Sequence, residues 1–243
     1  MRICIAQTRP FKGDIEGNIQ AHLSFAGKAR EMNASLLIFP ELSLSSYESK
    51  LAKALATSAE DERLAAIQQF ANENNMIIGA GLPILGRNGI HIGMVVFHPG
   101  SKRQVIFKKF LHADEYPYFV PGDEFGFINT PDEKIAIAIC YELSVPMHSE
   151  NAIRNGASVY LASVAKSKQG VEKAYESLSR ISSQHSVFTM MSNCLGPSDD
   201  FFCTGNSAIW DKKGQLIDQL DDTAEGLLLL DTNNEEVTKC ILS

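Results

Sequence analysis

Short apolar runs alternate along the chain with segments whose apolar positions recur every three or four residues. "RICIAQ" (2–7) reads as a strand, and Ile19, Leu23, Ala26 and Arg30 then fall at helical steps. "SLLIFP" (35–40) is a buried strand stopped by Pro40. Ser58 and Asp61 predict a capped helix start with Leu64, Ile67 and Ala71 on its inner face. "MIIGAGL" (76–82), "IGMVVF" (92–97) and "RQVIF" (103–107) are strands, the last two joined by the hairpin signal His98-Pro99-Gly100. "KIAIAIC" (134–140) precedes a helical pattern over 147–155, and "SVYLAS" (158–163) follows. Val171, Ala174, Tyr175, Leu178 and Ile181 mark another amphipathic helix. "VFTMMS" (187–192), "SAIWD" (207–211), "QLIDQL" (215–220) and "GLLLLD" (226–231) are further strands, with Lys213-Gly214 in a hairpin turn.

About a dozen strands and four helices result. Helices separate the early strands and hairpins intrude in the middle. That order predicts an α/β fold: two stacked mixed sheets with helices outside, in one domain over residues 1–243. No linker, repeat or low-complexity segment breaks it.

Composition narrows the partners. A net charge of −7 with no basic run argues against nucleic acid or an anionic membrane surface. No apolar stretch reaches the length of a membrane span. The N-terminal "MRICIAQTRP" turns polar after six residues and lacks the apolar core of a signal peptide. The five cysteines are odd in number, scattered and without a CxxC pair. They read as reduced thiols of a cytoplasmic protein, not as a disulfide frame or a zinc site.

Three strands end on chemically loaded residues: Glu41 after "LLIFP", Lys108, Lys109 and Glu115 after "VIF", and Cys140 after "IAIAI". Ligand and catalytic groups gather outside the carboxyl ends of strands in α/β sheets. If these strands are parallel neighbours, a carboxylate, an ammonium and a thiol meet at one sheet edge. A thiol with an ordinary pKa of about 8.5 needs a base or a cation to attack as thiolate. A lysine can hold the oxyanion that develops on an attacked carbon. Each residue alone has a plainer reading: a solvated carboxylate, a charged strand end, a small core thiol. His148, eight residues past Cys140, is read as structural rather than as the base of a Cys-His pair. Gly79-Ala80-Gly81 begins like a dinucleotide fingerprint, but Ile84 stands where the third glycine belongs and Pro83 breaks the helix start. Tyr116, Tyr118 and Phe119 read as core aromatics.

Phe39-Pro40-Glu41, Lys108-x-x-Leu111 and Cys140-Tyr141-Glu142 together resemble, in order and separation, the three motifs of the carbon–nitrogen hydrolase (nitrilase) superfamily. The likeness extends through "NGASVYLASV" (155–164), "SNCLG" (192–196), "TGNSAIWDKKG" (204–214) and "EGLLLLD" (225–231), nearly the whole chain. The resemblance implies a four-layer αββα sandwich and a Glu-Lys-Cys triad. Glu41 would be the general base, Lys108 the oxyanion stabiliser and Cys140 the nucleophile. Lys108 is preferred to Lys109 because the family's lysine lies three residues before the leucine. Glu115 would orient the lysine or the substrate, and the Tyr141 N–H would complete the oxyanion site.

The chain departs from the family pattern at Ile106, where Tyr is common, at Phe110 for His, at Ser46 for the glycine before Tyr47, and at Glu142 for the usual Asp. The expected activity is hydrolysis of a small primary amide, by an amidase-like member that needs no cofactor or metal. Hydrolysis of an N-carbamoyl compound or a nitrile by the same triad is an alternative, as is a non-catalytic member that binds a ligand or partner. Tyr141, Tyr47 and Lys166 are candidate substrate-binding residues. Lys166, just past the strand 158–163, is placed to meet an anionic substrate group. The resemblance also implies a homodimer, packed through the helices at 147–155 and 171–185.

Overall fold

The computed structural model describes residues 1–242. In chain order the elements are β1 (Arg2–Gln7), α1 (Ile15–Glu31), β2 (Leu36–Ile38), α2 (Ala52–Leu55), α3 (Ala65–Asn74), β3 (Ile77–Leu85), β4 (Ile90–Phe97) and β5 (Gln104–Phe107). There follow β6 (Gly126–Asn129), β7 (Lys134–Ile139), α4 (Pro146–Arg154), β8 (Val159–Val164), α5 (Lys168–His185) and β9 (Phe188–Asn193). The remaining strands are β10 (Leu195–Ser198), β11 (Phe201–Thr204), β12 (Ala208–Trp210), β13 (Leu216–Gln219), β14 (Glu225–Asp231) and β15 (Glu236–Leu242). One sheet has the order β15-β14-β1-β2-β3-β4-β5 and the other β13-β12-β9-β8-β7-β6; β10 and β11 form a separate hairpin.

The side-chain period of two builds the layers. Ile3 and Ile5 of β1 and Leu36 and Ile38 of β2 share one core with Ile135, Ile137 and Ile139 of β7 and Leu161 of β8. This is the interior between the sheets. The alternate residues point outward. Cys4, Ala6 and Leu37 pack with Ile19, Phe25, Ala26, Ile67 and Ala71 of α1 and α3. Ala136, Ala138, Tyr160 and Ala162 pack with Val171, Ala174, Leu178 and Ile181 of α5. Central strands buried on both faces explain the continuous apolar runs, and the result is the expected αββα sandwich. Burying each large aliphatic side chain contributes roughly 1.5–3 kcal/mol.

One cap falls where predicted: Asp61 accepts the Arg63 N–H in the single turn that leads into α3. At the start of α1, Asp14 accepts the Gly17 N–H, a cap the sequence pattern did not mark. The turns at His98-Pro99-Gly100 and Lys213-Gly214 join antiparallel pairs, β4–β5 and β12–β13. The pattern missed β6, β10, β11 and β15. These strands are short or lie at an edge, so only some of their residues are buried and no apolar run marks them. The aromatic cluster is corrected: Phe119 is core, but Tyr116 and Tyr118 are 61% and 38% exposed. The chain turns tightly after Glu115, whose carbonyl accepts both the Tyr118 and the Phe119 N–H, and of the three rings it is Phe119 that turns inward.

Buried serines tie the sheets together beside the strand ends. Ser163 of β8 donates to the Phe39 carbonyl at 2.8 Å, and Ser192 of β9 donates to the Ala6 carbonyl at 2.7 Å. Both carbonyls lie near the carboxyl ends of first-sheet strands, so these hydrogen bonds fix how the loops beyond them face one another.

Candidate active site

Glu41, Lys108 and Cys140 converge, but not along one sheet edge. Glu41 follows β2 and Lys108 follows β5 in the first sheet, with β3 and β4 between them, whereas Cys140 follows β7 in the second. The three meet across the interface between the sheets. That corrects the picture of neighbouring parallel strands, because the stacking of two sheets is invisible in a linear pattern.

The loop bearing Glu41 is locked from several sides. Gly81 on β3 leaves no room for a side chain, since a Cβ there would lie 2.4 Å from the Leu42 nitrogen. The Leu44 N–H donates to the Gly81 carbonyl at 2.9 Å. His22 of α1 stacks on Phe39 with ring centroids 3.8 Å apart. Its Nδ1 lies 2.7 Å from the Asn18 carbonyl and its Nε2 2.9 Å from Ser43 Oγ. Burial pushes the His22 pKa down to about 3, so the ring is neutral: Nδ1–H donates to Asn18 and Nε2 accepts from the Ser43 hydroxyl.

Lys108 is wholly buried, and its ammonium donates to Glu41 Oε1 at 2.8 Å and to Glu115 Oε1 at 2.6 Å. Burial alone would lower its pKa, but the two carboxylates outweigh that and hold it above the ordinary lysine range. Glu115 also accepts the Tyr47 hydroxyl at 2.9 Å and the His112 N–H at 2.8 Å. The Tyr47 hydroxyl is therefore engaged with Glu115. Lys109 turns away. Its ammonium donates to the Asp123 carbonyl and lies 5.1 Å from the centre of the Phe125 ring.

Cys140 ends β7 and opens a single tight turn over Cys140–Ser144. Its φ of +49° lies in the left-handed region, at a cost of about 1–2 kcal/mol for a residue with a Cβ. The Sγ points toward the Ala165 carbonyl at 3.8 Å. Burial, with Glu41 alongside, raises the thiol pKa to about 11 against the pull of Lys166 and Lys108. Glu41 is also raised, by burial first, although Lys108 opposes this. Its Oε2 is buried without a hydrogen-bond partner. A neutral thiol thus sits beside a carboxylate with a free acceptor oxygen and a fixed ammonium, an arrangement suited to proton transfer coupled to attack on an electrophilic carbon.

The Tyr141 ring is 37% exposed and meets His112 edge-on at 5.2 Å. Lys166 is pinned through its main chain: its N–H donates to Asn193 Oδ1 at 2.9 Å, and its carbonyl accepts the Thr204 N–H at 3.2 Å. Its aliphatic stem lies over Gly170 of α5, where an added Cβ would approach it to 3.2 Å. Among the described residues its ammonium has no ion-pair partner, and its charge acts on Cys140. His148 faces Tyr160 and Glu142 and makes no hydrogen bond to Cys140. Sequence reasoning missed Gly81, His22, Ser43, Ser163 and Ser192. Each carries an ordinary signal for core or loop, and only three-dimensional closeness gives it a role.

The family model for carbon–nitrogen hydrolases matches residues 2–241. The chain belongs to the carbon–nitrogen hydrolase family. The glutamine-dependent NAD(+) synthetase of Thermotoga maritima is 25% identical, over 97% of this chain and 42% of that protein. The chain thus spans less than half the length of that relative. A (R)-stereoselective amidase of a Pseudomonas species is 22% identical, over 86% of this chain and 77% of that protein. The nitrilase-superfamily amidase of Nesterenkonia AN1 shares the fold, with a TM-score of 0.85 at 22% identity over 97% of this chain and 92% of that one. A variant of that amidase carries the acetamide moiety of fluoroacetamide covalently added at its active-site cysteine.

The buried histidines of this carbon–nitrogen hydrolase set a pH dependence. Burial depresses His22 to about 3 and His148 to about 4, so both are neutral in the folded state. The unfolded chain takes up these protons first, near 6.5. Stability is therefore expected to fall as pH drops below 6.5, down to about 4 for His148 and about 3 for His22, by a few kcal/mol per histidine on the order of the shifts. NMR titration checks this: both rings should stay neutral at pH 5.5, and a ring of either that titrates near pH 6.5 contradicts it.

Proposed function

We propose that the chain hydrolyses a small primary amide through a thioester on Cys140. The observation that carries this reading is the wholly buried Lys108 ammonium, held between Glu41 and Glu115 beside the thiol. In the first step Cys140 Sγ bonds to the amide carbon while its proton passes to Glu41. The Lys108 ammonium and the Tyr141 N–H hold the oxyanion. Collapse breaks the C–N bond, Glu41 protonates the leaving nitrogen, and ammonia departs. Glu41 next takes a proton from water as its oxygen attacks the thioester carbon. The C–S bond breaks, the sulfur regains its proton from Glu41, and the acid leaves.

Lys166 points to an amide that also carries a carboxylate. Its ammonium is unpaired among the described residues, half-buried and close enough to Cys140 to act on the thiol. The glutamine-dependent relatives favour a second and narrower form of this reading, the side-chain amide of glutamine. The test is ammonia release from a panel of neutral amides, carboxylate-bearing amides, N-carbamoyl compounds and nitriles. A carboxylate-bearing amide should turn over fastest. Lys166→Ala should raise its KM about tenfold, the scale of a hydrogen bond to a charged group, and leave a neutral amide of similar size unchanged. Equal effects on both would remove the anionic group from the substrate. Release from nitriles or carbamoyl compounds alone would overturn the amidase reading.

A further inference from the structure

Glu142, two residues past Cys140, is buried and accepts three backbone N–H groups. Oε2 takes that of Ile139 at 2.7 Å, and Oε1 takes those of Lys109 at 2.7 Å and Phe110 at 3.3 Å. Ile139 immediately precedes Cys140, and Lys109 immediately follows Lys108. One carboxylate therefore grips the chain next to both. We propose that Glu142 is a positioning residue that sets the separation of the Cys140 thiol from the Lys108 ammonium. The inference rests on the reading of those two as the reacting pair.

The two gripped segments belong to different sheets. Ile139 ends β7 and Lys109 lies beyond β5, so no ladder hydrogen bond sets the distance between them. A carboxylate has two oxygens with about four acceptor sites in all, enough for donors from two directions. The Glu142 side chain is long enough to span from Ile139 to the second segment at Lys109 and Phe110. The surroundings keep the grip dry and fixed. His148 Nε2 lies 3.5 Å from Glu142 Oε2, and its Nδ1 lies 2.9 Å from the Tyr160 hydroxyl. Phe110 and Phe125 flank the same imidazole, with ring centroids at 6.4 and 5.5 Å. Burial raises the Glu142 pKa to about 7, and the N–H donors and Lys108 oppose the rise. The donors thus offset part of the cost of an ionised group in the interior, and burial remains the larger effect.

A plainer role would be to cap the turn after Cys140 through the Ile139 N–H alone. Glu142→Asp separates the two roles. The shorter acid still reaches Ile139 but is too short to hold Lys109 and Phe110 as well. A displacement near one ångström at reacting groups costs about 10²-fold in rate. The expected result is a kcat lowered by about 10–100-fold, with KM within about threefold and a melting temperature close to that of the parent. A kcat within about twofold of the parent would overturn the proposal, and an inactive Cys140→Ala alongside it would show that the reacting pair stands without it. Hydrogen exchange on the unmodified protein gives a second measurement that does not depend on a folded variant. The Lys109 amide should be strongly protected although its side chain reaches solvent; exchange at the rate of an open loop would equally overturn the proposal.

Discussion

Replacing Cys140 by alanine is expected to abolish turnover, by about 10⁵-fold or more, in a protein that remains folded. The sulfur is the proposed attacking atom, and no other group at the site takes its place. Its contribution to packing is small: among the described residues Sγ makes a long hydrogen bond to the Ala165 carbonyl, at 3.8 Å. Alanine keeps a Cβ at a position with φ of +49°, so backbone strain is the same in both proteins and the comparison isolates the chemistry. Glycine would relieve that strain and would be a poorer control. Cys4, Cys194 and Cys203 are buried, and Cys240 lies on β15, so alanine at these positions should leave the chemical step intact. Steady-state ammonia release alongside a urea melt checks both halves, and activity retained in Cys140→Ala would sink the mechanism.

Lys108→Ala is expected to have two large effects. Loss of the proposed oxyanion donor is expected to lower kcat by about 10²–10³-fold. Removing the ammonium also leaves Glu41 and Glu115 buried together without their counter-charge, and breaking a buried ion pair in this way costs about 3–5 kcal/mol. The unpaired carboxylates should then hold a proton between them. Residual activity should move to higher pH, because Glu41 can act as a base only when ionised and Lys108 now opposes the rise in its pKa. Lys109→Ala should be nearly silent in both respects, since that ammonium meets the Asp123 carbonyl and the Phe125 face, away from Glu41 and Glu115. Rate and urea stability for the two variants test this. An inactive Lys109→Ala beside an active Lys108→Ala would shift the motif by one residue.

The layers were legible because they obey local rules. Ile135, Ile137 and Ile139 alternate with Ala136 and Ala138, so the inner and outer faces of β7 can be read from sequence once the strand is recognised. β15 was not legible: Glu236, Thr238 and Lys239 face water at a sheet edge, and a polar stretch of that kind is also what a loop looks like. At the site, Glu41, Lys108 and Cys140 stand at strand ends, where chemistry is expected, and the family motifs singled them out from neighbours such as Lys109. Their meeting across two sheets depends on Ser163, Ser192 and Gly81. The reasons for those residues are a hydrogen bond to another strand's carbonyl and a close backbone approach, neither of which leaves a mark on spacing. Glu142 was visible only as a departure from the usual Asp; its three donors come from segments about 30 residues apart in sequence as well as from its own turn.

The central claim is that Cys140 becomes acylated while the amide nitrogen leaves. Rapid mixing with a turned-over amide, followed by an acid quench and peptide mass spectrometry, tests it most directly. The account predicts a mass increase equal to the acyl group less one hydrogen on the peptide that contains Cys140, with one equivalent of ammonia already in solution. An acyl group on any other residue, or ammonia released at the full rate by Cys140→Ala, would contradict it.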